Sequence, residues 1–252
     1  MQKPKTSHAL TRDRYDAVLL DLDGVITDTA NLHAECWKHM FDAYLQRRAT
    51  QRGETFRPFE IATDYRLYVD GKPRFDGVRD FLTSRDIQLP EGTPDDSPNL
   101  ETIGGLGNRK NELVNKLIEE KGVEPYEGSV RLIHQLRDRG FKIAVVTSSQ
   151  NCTAVLKAAK LDTFFEVRVD GNTIRAQHLA GKPSPDTFLE AAKLLGVEPA
   201  RAVVIEDAIS GVQAGSSGRF GLVVGVARKA NAKDLQQHGA HLVVNDLGEL
   251  VD

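Results

Sequence analysis

The sequence predicts an α/β fold: a Rossmann-like parallel sheet core with a helical cap domain inserted after the first strand. Three observations predict it. A short apolar run, Ala17-Val18-Leu19-Leu20, stops abruptly at Asp21-Leu22-Asp23-Gly24. From residue 124 onward, short apolar runs alternate with amphipathic helical stretches. Between the two lies a long stretch, residues 30–123, that opens with strong helical periodicity. The expected division is therefore a core of 1–29 and 124–252 and a cap of 30–123.

The first run is too short for a helix and reads as a buried parallel strand. In extended backbone, residues i and i+2 point to one side. Asp21 and Asp23 would then project together beyond the strand while Leu22 turns into the core. Gly24 lets the chain turn sharply and lets its backbone approach a ligand. Two aligned acids at such a place suit a divalent cation and phosphoryl chemistry. A bare Asp-x-Asp-Gly more often does no more than end a strand and begin a turn, so the reading depends on the remaining strand ends.

In residues 30–123, Leu32, Cys36, Trp37, Met40, Phe41, Tyr44 and Leu45 form one apolar stripe at helical spacing, which is a core face. A second helix is expected from about Asn108 to Lys121. The segment Leu89 to Gly105 is rich in Pro, Gly, Asp and Thr and reads as an exposed loop. Gly104-Gly105-x-Gly107 follows no strand, so it reads as a hinge or turn and not as a phosphate loop.

Further strands are expected at Phe141 to Val146, Ala202 to Ile205 and Gly221 to Val226, with a weaker one at His241 to Val244. Helices are expected at Gly128 to Asp138 and at Ser184 to Leu195, the latter opened by Ser184-Pro185-Asp186.

Composition bounds the function. Of 252 residues, 40% are hydrophobic and 27% charged, the balance of an ordinary globular chain. The formal net charge of -3 gives no reason to expect nucleic acid or an acidic membrane as partner. Cys36 and Cys152 have no metal-type spacing and make no disulfide framework, which fits free, buried thiols in a reducing cytoplasm. Met1 to Arg14 is polar, without a signal core, and reads as a loose tail. No apolar stretch is long enough to span a bilayer.

In an open parallel sheet, ligands bind beyond the carboxyl ends of the strands. Here those ends carry Asp21 and Asp23, then Thr147-Ser148-Ser149, then Glu206-Asp207, with Lys182 in Gly181-Lys182-Pro183 just ahead of a helix. This order and spacing resemble the haloacid dehalogenase-like superfamily of phosphotransferases over nearly the whole chain. The resemblance implies that Asp21 is a nucleophile taking the phosphoryl group and that Asp23 is the general acid and base. It implies Mg²⁺ held by the Asp21 carboxylate, the Asp23 backbone carbonyl and Asp207, with Glu206 close by. Thr147 and Lys182 would hold phosphoryl oxygens. The chemistry agrees: a carboxylate attacking a phosphate anion meets like-charge repulsion, which a cation and a lysine offset.

The opening Asp21 to Ala30 with His33 and Trp37, then Arg109-Lys110-Asn111, Thr147 to Asn151 and Gly181-Lys182-Pro183 are similar to the beta-phosphoglucomutase family, of the helical-cap subclass. So is Glu206-Asp207 followed by Gly211. That similarity implies interconversion of β-glucose 1-phosphate and glucose 6-phosphate through a bisphosphate. It implies that Gly71-Lys72-Pro73-Arg74 supplies an arginine for the second phosphate. Ser148, Ser149 and Asn151 would bind substrate, Thr29 would be a hinge, and His33 and Lys110 would link substrate to cap closure. The chain departs from the family pattern at Asp70, at Phe75-Asp76-Gly77 and in the long 89–105 segment. A phosphatase of small sugar phosphates would use the same core, whereas a non-catalytic module would have no need of Asp21, Asp23 and Asp207 together. The expected partner is a small sugar phosphate, with no nucleic acid and no membrane, bound by a monomer.

Overall fold

The computed structural model describes residues 10–228 and 230–251. The chain divides into two compact units, one of Met1–Asp28 with Val123–Asp252 and one of Thr29–Gly122.

The first unit is built on a six-stranded sheet. Its strands are β1 (Ala17–Leu20), β2 (Lys142–Val146), β3 (Val167–Val169), β4 (Ala202–Glu206), β5 (Leu222–Val226) and β6 (Leu242–Val244). All pairings are parallel, in the order β3-β2-β1-β4-β5-β6. The chain runs outward on one side of β1 and then returns to fill the other. β1 is thus the switch point where such sheets form crevices. The register brings Leu20 level with Val145 on one side and Ile205 on the other. The residues just past β1 therefore share a height with the ends of β2 and β4.

Continuous apolar strands need cover on both faces. Ala17, Leu19, Ala144, Val146, Ala202 and Val204 pack on one face against Phe188, Ala191, Ala192 and Leu195 of α7 (Asp186–Leu195). The alternate residues Val18, Leu20, Ile143, Val145, Val203 and Ile205 are at most 1% exposed, so the second face is equally dry. Helices α4 (Glu127–Asp138), α8 (Ile209–Ser217) and α9 (Ala232–Gln237) complete the cover, with two short helices, α5 (Cys152–Ala158) and α6 (Gly171–Gln177), between them in sequence. Asp170 caps α6 by accepting from the Asn172 and Thr173 amides.

The second unit comprises α1 (Ala30–Arg52), a π-helical segment (Ile61–Val69), α2 (Arg74–Ser84) and α3 (Ile103–Lys121). Its core is aromatic. Phe41 stacks on Trp37 at 5.3 Å and on Phe59 at 5.1 Å, and its ring centroid is 4.2 Å from that of Phe81. Phe41, Phe59 and Phe81 are fully buried. Such burial contributes roughly 1.5–3 kcal/mol per ring. Among the described residues, no helix is long and apolar enough to cross a membrane.

Several expectations are corrected. The helix expected from Asn108 begins at Ile103, and Gly104-Gly105-x-Gly107 lies inside it, buried, not at a hinge. The 89–105 segment therefore ends at Thr102, and it is fastened to the helix that follows. Leu32 is only half-buried, at the margin of the α1 stripe. The tail reading fails over its last residues: Leu10 is 1% exposed and its carbonyl accepts from Arg139 at 2.8 Å. Residues 1–9 of that tail lie outside the described residues. The helix expected from Ser184 starts at Asp186, with Ser184 Oγ donating to the Asp186 carboxylate. The short β3, α2 and the π-helical segment were not expected.

Candidate active site

Past Leu20 the backbone leaves the strand, and the Asp21 amide donates to the Ile205 carbonyl at 3.0 Å, which holds the carboxylate between β2 and β4. Asp21 is 6% exposed. Its Oδ1 accepts from Lys182 Nζ at 2.6 Å. The same ammonium donates to Glu206 Oε1 at 2.6 Å and to the Val146 carbonyl at 3.0 Å. All three donors of the lysine are thereby used, and its side chain has no exposed surface.

Burial pushes the Asp21 carboxyl well above the usual carboxylate range, reinforced by Glu206 and Asp23 and opposed by Lys182. Burial alone would push Lys182 down, but the Asp21 and Glu206 carboxylates overcome it and hold the ammonium above its ordinary value. Lys182 is therefore a fixed positive charge under Asp21.

Glu206 is wholly buried and its Oε2 accepts from the Ala208 amide at 2.9 Å. Asp21, Glu206 and Asp207 can each offer an oxygen within 4.8 Å of the others. Three carboxylates against one ammonium leave an excess of negative charge that a hard divalent cation, which prefers oxygen ligands, would neutralise. Both Glu206 oxygens also accept from protein donors. Gly24 makes room for this group. Its φ is +89°, and a Cβ there would stand 2.2 Å from Asp207 Oδ2. Gly211 does the same for Glu206, whose Oε1 would lie 1.8 Å from an added Cβ.

Asp23 is half-buried, and Thr147 Oγ1 approaches its Oδ2 at 3.4 Å. Thr147, 2% exposed, accepts in turn from the Ser149 amide at 3.1 Å, and Ser149 Oγ accepts from the Asn151 amide at 3.1 Å. The Ser149 carbonyl accepts from Gly171, and the Ser148 carbonyl packs so close to Gly171 that a Cβ would sit 2.7 Å away. The turn after β2 is thus held by its own short hydroxyl side chains. Asp21, Asp23, Thr147, Lys182, Glu206 and Asp207 form one continuous group.

The cap residues lie in the second unit. Lys110 is 5% exposed; its Nζ is 2.9 Å from His33 Nδ1 and 4.9 Å from the centre of the Trp37 ring. An ammonium only donates, so in this contact His33 Nδ1 is the acceptor. Thr29 is buried and precedes the first turn of α1. Gly71, at φ +72°, turns the chain into Lys72-Pro73 and the start of α2, where Arg74 is the first residue. Arg74 Nη2 donates to Asn108 Oδ1 at 2.8 Å and its guanidinium lies 4.8 Å from the centre of the Phe75 ring.

Two contributors escaped the sequence reading. Asn108 is one, although it directly precedes Arg109-Lys110-Asn111. Arg228 is the other: it donates to the Gly24 carbonyl at 3.2 Å and to Asp246 at 2.6 Å, tying the loop after β5 to the turn that carries Asp23. No local pattern marks either residue, because each acts on a distant segment. Both cysteines are buried, and burial pushes the Cys36 thiol up to about 11 and raises Cys152 also, so neither is a nucleophile.

The six-stranded parallel sheet and the acids gathered at its switch point define a phosphotransferase-type α/β core. The chain belongs to the haloacid dehalogenase-like hydrolase family, whose model matches residues 15–218. It is 53% identical over 242 residues to the beta-phosphoglucomutase of Mycobacterium bovis, a match covering 95% of this chain and 92% of that one. The beta-phosphoglucomutase of Bacillus subtilis is 33% identical over 224 residues, 87% of each chain. Among solved structures, the crystal structure of beta-phosphoglucomutase from Clostridium difficile matches with a TM-score of 0.73 at 26% identity, covering 94% of this chain and 93% of that one.

Proposed function

We propose that this chain is a sugar-phosphate mutase that interconverts β-D-glucose 1-phosphate and D-glucose 6-phosphate through an aspartyl-phosphate enzyme and glucose 1,6-bisphosphate. The observation that carries the chemistry is Asp21, a buried carboxylate held at 2.6 Å by a lysine that has no exposed surface. A carboxylate so fixed has one oxygen oriented by Lys182, and the other is the nucleophile. The choice of mutase is supported by the 53% likeness, which runs through both units.

In this reading Asp21 attacks phosphorus, the bond from phosphorus to the sugar oxygen breaks, and Asp23 gives that oxygen its proton. On the return transfer Asp23 removes the proton from the accepting hydroxyl. Thr147 binds a phosphoryl oxygen, its hydroxyl kept in place by the Ser149 amide, and Lys182 turns one of its three protein-held donors to a phosphoryl oxygen as the phosphate enters. Asp21, Asp207 and the Asp23 backbone carbonyl would hold Mg²⁺, with Glu206 beside them; bound there, the cation would screen the charge between the nucleophile and the incoming phosphate. Gly71 and Arg74 take the second phosphate, and Ser148, Ser149 and Asn151 take the sugar or that phosphate. Thr29, where the chain passes from the first unit to the second, is the hinge. His33 and Lys110 couple the substrate to closure. The enzyme works as a cytoplasmic monomer.

The test is phosphorus NMR of the protein with β-glucose 1-phosphate, Mg²⁺ and a trace of glucose 1,6-bisphosphate. A growing glucose 6-phosphate signal with little free phosphate is the expected result. Free phosphate as the main product would instead make the protein a phosphatase on the same core.

A further inference from the structure

Asn108, in the second turn of α3, uses its carboxamide in two directions. Its Oδ1 accepts from Arg74 Nη2 at 2.8 Å. Its Nδ2 donates to the Pro94 carbonyl at 2.9 Å and to the Asp96 carbonyl at 2.8 Å. Asparagine suits this position because one planar group supplies an acceptor and two donors.

The segment it reaches, residues 89–102, is a fixed object. The Asp96 carboxylate accepts from Thr93 at 2.8 Å and from Thr102 at 2.5 Å. The Ile103 and Gly104 amides donate to the Pro90 and Glu91 carbonyls, each at 3.0 Å. Arg109 Nε donates to the Pro98 carbonyl at 2.7 Å. Gly104 and Gly105 let the segment lie directly on α3: a Cβ at either would stand 2.1 Å from Thr93 O or 2.3 Å from Leu100 O. Arg74 has a second restraint in Phe75, whose ring packs on Gly107, where a Cβ would sit 2.7 Å from it.

We infer that Asn108 is a positioning residue: it ties Arg74 to the fixed 89–102 segment and so sets the affinity for a substrate carrying a second phosphate. The inference rests on the reading of Arg74 as the arginine for that phosphate. An arginine has many rotamers, and one already ordered by a hydrogen bond and a ring loses less freedom when it binds an anion. The 89–102 segment thereby acts on binding through Asn108.

The experiment compares the full-length protein with Asn108→Ala, Arg74→Ala and the double variant. The readouts are KM and kcat for the mutase reaction with glucose 1,6-bisphosphate, and hydrolysis of p-nitrophenyl phosphate, which has no second phosphate. Asn108→Ala is expected to raise KM for the bisphosphate about tenfold or more, with kcat and the KM for p-nitrophenyl phosphate moving by less than about twofold. Added to Arg74→Ala it is expected to do nothing further, because its effect runs through that guanidinium. Should Asn108→Ala not fold, Asn108→Leu carries the test: it keeps about the same volume, removes the acceptor and both donors without adding a charge beside Arg74, and is expected to raise the same KM. Equal losses on both substrates, or full additivity with Arg74→Ala, would overturn the inference and leave Asn108 a purely structural residue. An Arg74→Ala variant with unchanged KM for the bisphosphate would overturn the reading of Arg74 itself, and this inference with it.

Discussion

At the scale of single residues, the site is organised by a buried ion group. Lys182 holds Asp21 and Glu206 at 2.6 Å each, and none of the three is more than 8% exposed along its side chain. Removing one partner from such a group is costlier than never having built it, because the remaining charges stay buried and uncompensated. Lys182→Met keeps the length and apolar stem but strands two carboxylates. It is expected to lower stability by about 3–5 kcal/mol, read as a shift of the urea midpoint, and to abolish phosphoryl transfer. Asp21→Asn in the same background should recover part of that stability but no activity. A loss under about 1 kcal/mol would mean that solvent reaches the group and that the burial argument is wrong. The lysine itself was readable in Gly181-Lys182-Pro183, and the acids in Asp21-x-Asp23 and Glu206-Asp207. Their division of labour was not. That Glu206 accepts from both Lys182 and the Ala208 amide depends in part on a contact between residues 24 apart, which no local pattern reveals.

At the scale of elements, local propensity and tertiary packing disagree at the start of α3. Glycine disfavours helix by about 1 kcal/mol relative to alanine, so Gly104-Gly105-x-Gly107 reads as a break. The structure places all three in the helix because the 89–102 backbone and Phe75 occupy the space where side chains would be. Gly105→Ala discriminates the two effects. Propensity alone would stabilise by about 1 kcal/mol. The new Cβ would stand 2.3 Å from Leu100 O, a backbone atom that cannot swing aside, and overpacking of this kind costs about 1–3 kcal/mol. The second effect wins, so the variant should unfold at lower urea than the parent; a rise in the midpoint would show that the segment yields. The same logic explains what the pattern could and could not give elsewhere. β1, β2, β4 and β5 are buried on both faces and read as continuous apolar runs. β3 is only Val167-Arg168-Val169, too short to stand out, and the π-helical Ile61–Val69 departs from the 3.6-residue period that reveals helices.

At the scale of the whole molecule, the response to acid follows from carboxylates in both units. In the first unit, Arg201 bonds both oxygens of Asp16 and holds the Asp16 carboxyl below its usual range. Asp246 is raised by burial but lowered further by Arg228 and the Gly248 amide, and ends below its usual value. In the second unit, the Arg79 hydrogen bonds pull Glu91 down, and Thr102 and Thr93 pull Asp96 down. Each is a group whose folded value lies under its unfolded one. Its contribution is complete above the unfolded pKa, about 4 for these carboxyls, and disappears as pH falls through the folded value. Thermal midpoints should therefore be level with respect to these groups from about pH 7 to 5 and fall below about pH 4. Asp246→Asn tests the assignment, because Arg228 spans from Asp246 to the Gly24 carbonyl beside the site. It should lower the midpoint at pH 7 and lose less on acidification than the parent. An unchanged acid slope would show that the Arg228 pair contributes nothing to the stability of the folded chain, and that the turn carrying Asp23 is held by its backbone bonds alone.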